Sequence, residues 1–336
     1  MATPTRTSSP RCLPVREHGD DRACVSVSDA YGLQGGAQGT LRADRADRPA
    51  LPAGELQRQF AYDRALARLF SSPDADRWVL KGAGALLARL ATARHSKDVD
   101  VFFNATEAAV DDAVQALRAA IRADIGDHFA FDVTRIAPLQ EEAIGARVHV
   151  NARLGPTSFA GFNIDVVVGT AMTGTPDVVA PLTPLSIDGL VRPHYRVFPI
   201  PDHLADKLCA TVGTYVRDGQ PANSSRVKDL VDIAIIASTQ IFSADRLRTA
   251  VVSNATIRTA VVSNATIRRV ELPERFVVPD DGWARRYPKV AAEAPGTVPD
   301  YDTAVSLARQ VFDPILDATA TGVWDPSKRT WALRGR

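Results

Sequence analysis

The segment Asp98-Val99-Asp100-Val101-Phe102-Phe103 sets two carboxylates at alternate positions of an otherwise apolar run. On a β-strand alternate side chains share a face, so both acids point to one side of a sheet and the apolar residues mostly to the other. Two carboxylates side by side repel unless a cation joins them. Oxygen ligands of this kind suit Mg²⁺, which commonly bridges carboxylates to substrate phosphates. The competing reading is an ion-pair network with the chain's plentiful arginines.

Upstream, Leu80-Lys81-Gly82-Ala83-Gly84-Ala85-Leu86 reads as a strand running through small residues into a helix. The N–H groups of such a helix start, with the helix dipole, form a phosphate cradle, and Gly and Ala allow close approach. Downstream, Asp165 interrupts the apolar strand Asn163-Ile164-Asp165-Val166-Val167-Val168. A carboxylate buried there needs a cation or donors. If this strand pairs beside Val99 to Phe103, three carboxylates converge, enough to hold two metal ions about 4 Å apart.

A third constellation lies on two expected helices, around Asp202-His203-Leu204-Ala205-Asp206-Lys207-Leu208 and Ser224-Ser225-Arg226-Val227-Lys228-Asp229-Leu230-Val231-Asp232. On a helical wheel Val227, Leu230, Val231 and Ala234 form the apolar side, and Lys228, Asp229 and Asp232 fall in one polar arc. That arc reads either as part of a site or as a solvated face with a Lys228 to Asp232 pair worth about 0.3 to 0.5 kcal/mol. Arg226 could pair with Asp229 or contact RNA. Lysine is scarce, six of 40 basic residues, and four of the six, Lys81, Lys97, Lys207 and Lys228, fall in or directly beside these segments. A compact point charge is what these positions call for. Ser96 is expected to stabilise the turn before the acidic strand by local hydrogen bonding.

The rest of the chain fits an ordinary globular protein. Its 336 residues are 45% hydrophobic and 24% charged, with 40 basic against 39 acidic side chains, so a strongly basic coat is excluded and any nucleic acid must be met locally. No apolar stretch approaches the ~20 residues of a membrane span, and no secretory core opens the chain, so a cytoplasmic location is expected. Three cysteines without CxxC spacing support neither a disulfide framework nor a thiolate zinc site. Residues 1–54 read as a disordered or weakly ordered leader. Residues 55–200 alternate helix and strand, and residues 201–336 read as helical, the boundary falling near Pro199-Ile200-Pro201. Arg248 to Ile257 is repeated letter for letter as Arg258 to Ile267, a tandem duplication inside an expected helix over 244–268. Trp283, Trp324 and Trp331 read as core, with base stacking as the alternative. Arg246, Arg248, Arg258, Arg268, Arg269, Arg285 and Arg286 could form a local RNA track.

Taken in order, K-G-x-x-A-L, R-x-S-x-D-x-D, a later Asp on an apolar strand, A-D-K-L and S-R-x-K-D-L-x-D resemble the AbiEii/MenT group of polymerase-beta-like nucleotidyltransferases, toxins of type IV toxin–antitoxin pairs. The resemblance covers residues 56 to 240 in motif terms. It implies an α+β fold, a mixed sheet flanked by helices followed by a helical half that completes the cleft. It further implies Mg²⁺-dependent transfer of a nucleoside monophosphate from a nucleoside triphosphate to an RNA acceptor, the tRNA 3′ end, and restraint by a cognate antitoxin.

Carried over by position, Asp98, Asp100, Lys207 and Asp229 would be catalytic, with Asp98, Asp100 and Asp165 binding metal. The nucleotide would meet Lys81, Gly82, Ala83, Gly84, Ser96, Asp165, Arg226, Lys228 and Asp232. Spacing leaves open whether Asp229 or Asp232 faces the chemistry, and Asp229 is favoured. The chain departs from the family in having Gly82-Ala83-Gly84 where a Ser or Thr hydroxyl is common. Nucleotidylation of a small molecule or a protein hydroxyl, or a degenerate binding protein, are the alternative outcomes.

Overall fold

The computed structural model describes residues 25–26, 53–90, 93–94, 96, 98–105, 108–139, 144–181, 187–217, 220–260, 271–294 and 296–333. The expected leader falls outside these apart from its last two residues and Val25-Ser26, which pairs in parallel with Ile187-Asp188. The central feature is a seven-stranded mixed sheet. In chain order its strands are β1 (Trp78–Lys81), β2 (Asp98–Phe103), β3 (Phe129–Pro138), β4 (Gly145–Leu154), β5 (Thr157–Val167), β6 (Asp177–Val179) and β7 (Tyr195–Val197). Across the sheet they run β3-β4-β5-β2-β1-β7-β6. The contacts of β2 with β5 and of β1 with β7 are parallel, and the other four are antiparallel.

Period-2 alternation decides what each face carries. Val99, Val101 and Phe103 of β2, Val148, Val150 and Ala152 of β4, and Ile164 and Val166 of β5 point into one core. That core is closed by α1 (Ala53–Leu69) through Leu56, Phe60 and Leu66, and by α3 (Val110–Ile121) through Val114, Leu117 and Ile121. The opposite face carries Asp98, Asp100 and Asp165 and a small apolar cluster of Val79, Phe102, Val167 and Phe198. The short helix α2 (Gly82–Arg89) leaves β1 directly and lends Ala85 to the sheet core and Leu86 to a second core.

The second core belongs to α4 (Ile200–Val212), α5 (Val227–Thr239), α6 (Ala244–Ala260), α7 (Trp283–Ala291) and α8 (Tyr301–Leu316). Ten of the 13 residues of α5 are buried, so it is the enclosed centre of this half. Two hairpins decorate it, β8 (Tyr215–Arg217) with β9 (Gln220–Ala222) and β10 (Val323–Asp325) with β11 (Thr330–Ala332). The expectation of a wholly helical second half is corrected to this extent. Trp283 and Trp324 are fully buried and donate to the Ser224 and Ala237 carbonyls, so both are core residues. The expected long helix is present to Ala260, and residues 261–267 of the duplicated copy lie outside the described residues. Among the described residues no helix is long and apolar enough to cross a membrane.

Candidate active site

Four charged residues stand abreast on four adjoining strands. The register pairs Lys81 of β1 with Asp100 of β2, Asp100 with Asp165 of β5, and Asp165 with Arg147 of β4. Directly opposed side chains lie ~5 Å apart at Cβ, so the row reads plus, minus, minus, plus in close contact. Arg147 grips Asp165 with its planar fork, Nε donating to Oδ1 at 2.8 Å and Nη2 to Oδ2 at 2.7 Å. The same Nη2 reaches Asp98 Oδ2 at 3.5 Å. Asp98, one pleat along β2, also accepts from Asn163 Nδ2 at 2.8 Å. Burial, then the neighbouring Asp165 charge, pushes the Asp100 carboxyl up to about 6 against the opposing pull of Lys81. The Lys81 ammonium lies 4.6 Å from the centre of the Phe198 ring and 3.9 Å from Asp206.

The turn from β1 into α2 is pressed against this row. Gly82 has φ +57°, a conformation that suits glycine, and the Asp100 carboxylate fills the space a Cβ there would need. Gly84 packs on Leu80, where a Cβ would come within 3.3 Å of Cδ1. The first N–H groups of α2 have no carbonyl partner within the helix, and this start lies beside Asp100. Ser96 accepts from the Asp98 N–H at 3.4 Å, the local turn contact expected of it, and its carbonyl receives the Tyr62 hydroxyl.

Beyond the sheet, α4 and α5 are joined by a buried chain of charges. Lys207 donates to Asp229 at 3.0 Å and to Asp232 at 2.6 Å. Arg94, from the segment before β2, clamps Asp232 with two bonds of 2.9 Å, and Arg226 binds the other oxygen of Asp229. Burial by itself would strip the Lys207 proton, but Asp232 and Asp229 outweigh it and its pKa moves up. Burial opposes ionisation of Asp229 and Asp232 too; Arg226 and Lys207 hold the first low, Lys207 and Arg94 the second. Arg226 and Arg94 both act electrostatically with Asp100, so this chain of charges lies within reach of the acidic row.

A family model for the AbiEii nucleotidyltransferase toxin of type IV toxin–antitoxin systems matches residues 64–307. The chain belongs to that family. It is therefore a nucleotidyltransferase. Two solved structures are similar. MenT4, a nucleotidyltransferase toxin from Mycobacterium tuberculosis H37Rv, shows 16% identity over 87% of this chain and 99% of its own, with a TM-score of 0.46. JHP933 from Helicobacter pylori shows 15% identity over 80% of this chain and 95% of its own, with a TM-score of 0.43. No curated protein matches in sequence.

In this AbiEii member the residues singled out by motif fall into two groups. Lys81, Gly82, Asp98, Asp100 and Asp165 meet on one face of the central strands β1, β2 and β5, where they form the acidic edge of the site, and Lys207, Arg226, Asp229 and Asp232 interlock beside it. Lys228 belongs to neither. The shared polar arc drawn for Lys228, Asp229 and Asp232 is corrected: Lys228 is exposed while both acids are buried, because α4 and Arg94 cover the side of α5 that carries them. Arg147 escaped the sequence reading, although it alternates correctly in the strand Gly145-Ala-Arg-Val-His-Val and is the cation that Asp165 was expected to need.

Among the described residues no group of three His, Cys, Asp or Glu side chains is arranged to hold a metal ion. The donor chemistry at Asp98 and Asp100 nonetheless fits a divalent cation. Both are hard oxygen ligands on one face of one strand, and Asp100 is destabilised as an anion by burial and by the Asp165 charge, which a cation would offset. Both oxygens of Asp165 are taken by Arg147.

Proposed function

We propose that this AbiEii-family nucleotidyltransferase transfers a nucleoside monophosphate from a nucleoside triphosphate to an RNA acceptor, the tRNA 3′ end, and acts as a toxin restrained by a cognate antitoxin. The observation that carries the reading is the contact between the Gly82 turn, with the α2 helix start behind it, and the Asp100 carboxylate, which sets a phosphate cradle against an acidic edge. Asp98 and Asp100 would hold Mg²⁺, which supplies charge neutralisation at the phosphates under transfer.

The chain's own groups have separable tasks. Gly82, Ala83 and Gly84 present backbone N–H groups to the triphosphate without a side chain in the way, a role that does not depend on the missing hydroxyl. Lys81 adds a point charge beside Asp100. Asn163 and Ser96 fix Asp98 from the strand side and the turn side. Lys207 and Asp229 hold α4 and α5 against the edge and place the Arg226 guanidinium toward Asp100. Exposed Arg246, Arg285 and Arg286 of the helical half offer cations for an RNA backbone. Transfer of this kind depends chiefly on positioning and electrostatics. Division into a nucleotidyltransferase unit over 55–200 and a cleft-completing unit over 201–336 accords with the two cores.

The test is to incubate purified protein with labelled triphosphates, Mg²⁺ and total tRNA, beside Asp98→Ala and Asp100→Ala. Label should enter tRNA with wild type and fall at least a hundredfold in both variants. Equal labelling by all three proteins would refute the assignment, and label on protein or small molecules alone would move the acceptor.

A further inference from the structure

Arg147 stands where the acidic edge most needs a cation. Its guanidinium takes both oxygens of Asp165 and reaches Asp98 at 3.5 Å, so one side chain spans two of the three acids at the edge. A divalent cation on Asp98 and Asp100 would compete with it for the same negative charge.

Among the described residues the other cations near the acids are held elsewhere: Arg94 clamps Asp232, and Arg226, 33% exposed at the side chain, is bonded to Asp229. Lys207 is 5% exposed at the side chain and fixed between Asp229 and Asp232, and Lys81 is 10% exposed against the Phe198 ring. Arg147 is 39% exposed at the side chain and lies on a strand, so its head can leave the acids without repacking a core. The fork that fits a carboxylate with two parallel bonds fits a phosphate equally well.

We propose that Arg147 is a displaceable counter-cation: it neutralises Asp165 and Asp98 when the edge holds no divalent cation, and passes to the polyphosphate of the incoming nucleotide, so that metal and nucleotide load the site together. The inference rests on the metal site of the proposed function. Metal alone must displace the guanidinium into water, whereas metal with nucleotide gives it a new anion. The affinity of each ligand then rises in the presence of the other, and by thermodynamic reciprocity by the same factor.

The experiment measures Mn²⁺ binding to the full chain by paramagnetic resonance, with and without each of four α,β-non-hydrolysable nucleoside triphosphates, in wild type, Arg147→Ala, Arg147→Lys and Asp100→Asn. Arg147→Ala should bind Mn²⁺ alone on the order of tenfold tighter than wild type and lose most of the enhancement that nucleotide confers. Arg147→Lys keeps the charge without the fork and should fall between them; it also carries the comparison if the alanine variant unfolds. Wild-type Mn²⁺ affinity and coupling in both Arg147 variants, with binding lost in Asp100→Asn, would overturn the role of Arg147 while sparing the metal site. Unchanged Mn²⁺ binding in Asp100→Asn would remove the metal site and this inference with it.

Discussion

The carboxylate of Asp100 occupies the space that a side chain at Gly82 would need. Gly82 also has φ +57°, which costs an L-residue roughly 1 to 2 kcal/mol. Gly82→Ala must therefore either push Asp100 off the acidic row or open the β1–α2 turn. The expected outcome is a modest loss of stability, about 1 to 3 kcal/mol by urea unfolding, with a loss of nucleotide binding far larger than that of Ala83→Ser, which changes the same turn at a residue without a positive φ. Comparable nucleotide binding in the two variants would show that this turn does not form the cradle.

Lys207 and Lys228 are a matched pair for separating buried from exposed lysine. Removing the Lys207 charge leaves Asp229 and Asp232 buried with one partner each, Arg226 and Arg94. Losing one partner from a buried ionic network typically costs about 3 to 5 kcal/mol. Lys207→Met should fall in that range by urea unfolding, and Lys228→Ala should stay within about 0.5 kcal/mol of wild type. Equal effects would contradict the burial difference.

The acidic strand was legible from sequence because its signal is local: two acids at period two in an apolar run can form only one kind of strand. The small-residue turn was legible for the same reason. What escaped is set by chain order in space. Nothing between Phe103 and Asn163 announces that β5 pairs in parallel with β2 and so sets Asp165 beside Asp100, and the match of Arg147 to Asp165 depends on the β4–β5 register, which shifts at Ala152/Arg153. Strand β3 hides because it lies at the sheet edge, with Phe129 and Phe131 buried and most of its later residues exposed, which blurs its alternation. The polar arc with Asp229 and Asp232 stayed open between a site and a solvated face, because a helical wheel shows polarity but not the Arg94 and Lys207 that cover the two acids. Asp202 accepts from the Thr173 and Gly174 N–H groups and ties that segment to α4, a contact between distant stretches that no helical pattern shows.

A second buried pair fixes α1 to the sheet. Arg68 donates to both oxygens of Asp127 at 2.9 and 2.6 Å, to the Ala123 and Phe129 carbonyls, and lies over the Phe131 ring. Its loss would leave Asp127 buried, with Arg64 at 3.7 Å. Arg68→Met is expected to cost about 3 to 5 kcal/mol. Adding Asp127→Asn should cost less than the sum of the two single changes, since the stranded charge goes too. Strict additivity in the double-variant cycle would mean the pair is not coupled.

His203 gives the stability a pH dependence. It is 1% exposed on α4, and neither ring nitrogen has a partner among the described residues. Burial, reinforced by the Lys207 charge and opposed by Asp232 and Asp206, depresses its pKa from 6.5 to about 3, so the folded protein keeps it neutral. The unfolded chain takes up the proton near pH 6.5. Between those two values the unfolded state binds more protons, so His203 costs no stability above pH 6.5 and progressively more as pH falls toward 3, at ~1.4 kcal/mol per pH unit. From pH 7 to pH 5 the protein should lose about 2 kcal/mol on this account, and His203→Leu should lose correspondingly less over the same interval, because it has no proton to take up and forfeits no hydrogen bond. Urea unfolding of both proteins at pH 7 and pH 5 measures the difference. Parallel losses would mean the imidazole reaches solvent or a partner and carries its proton in the folded state.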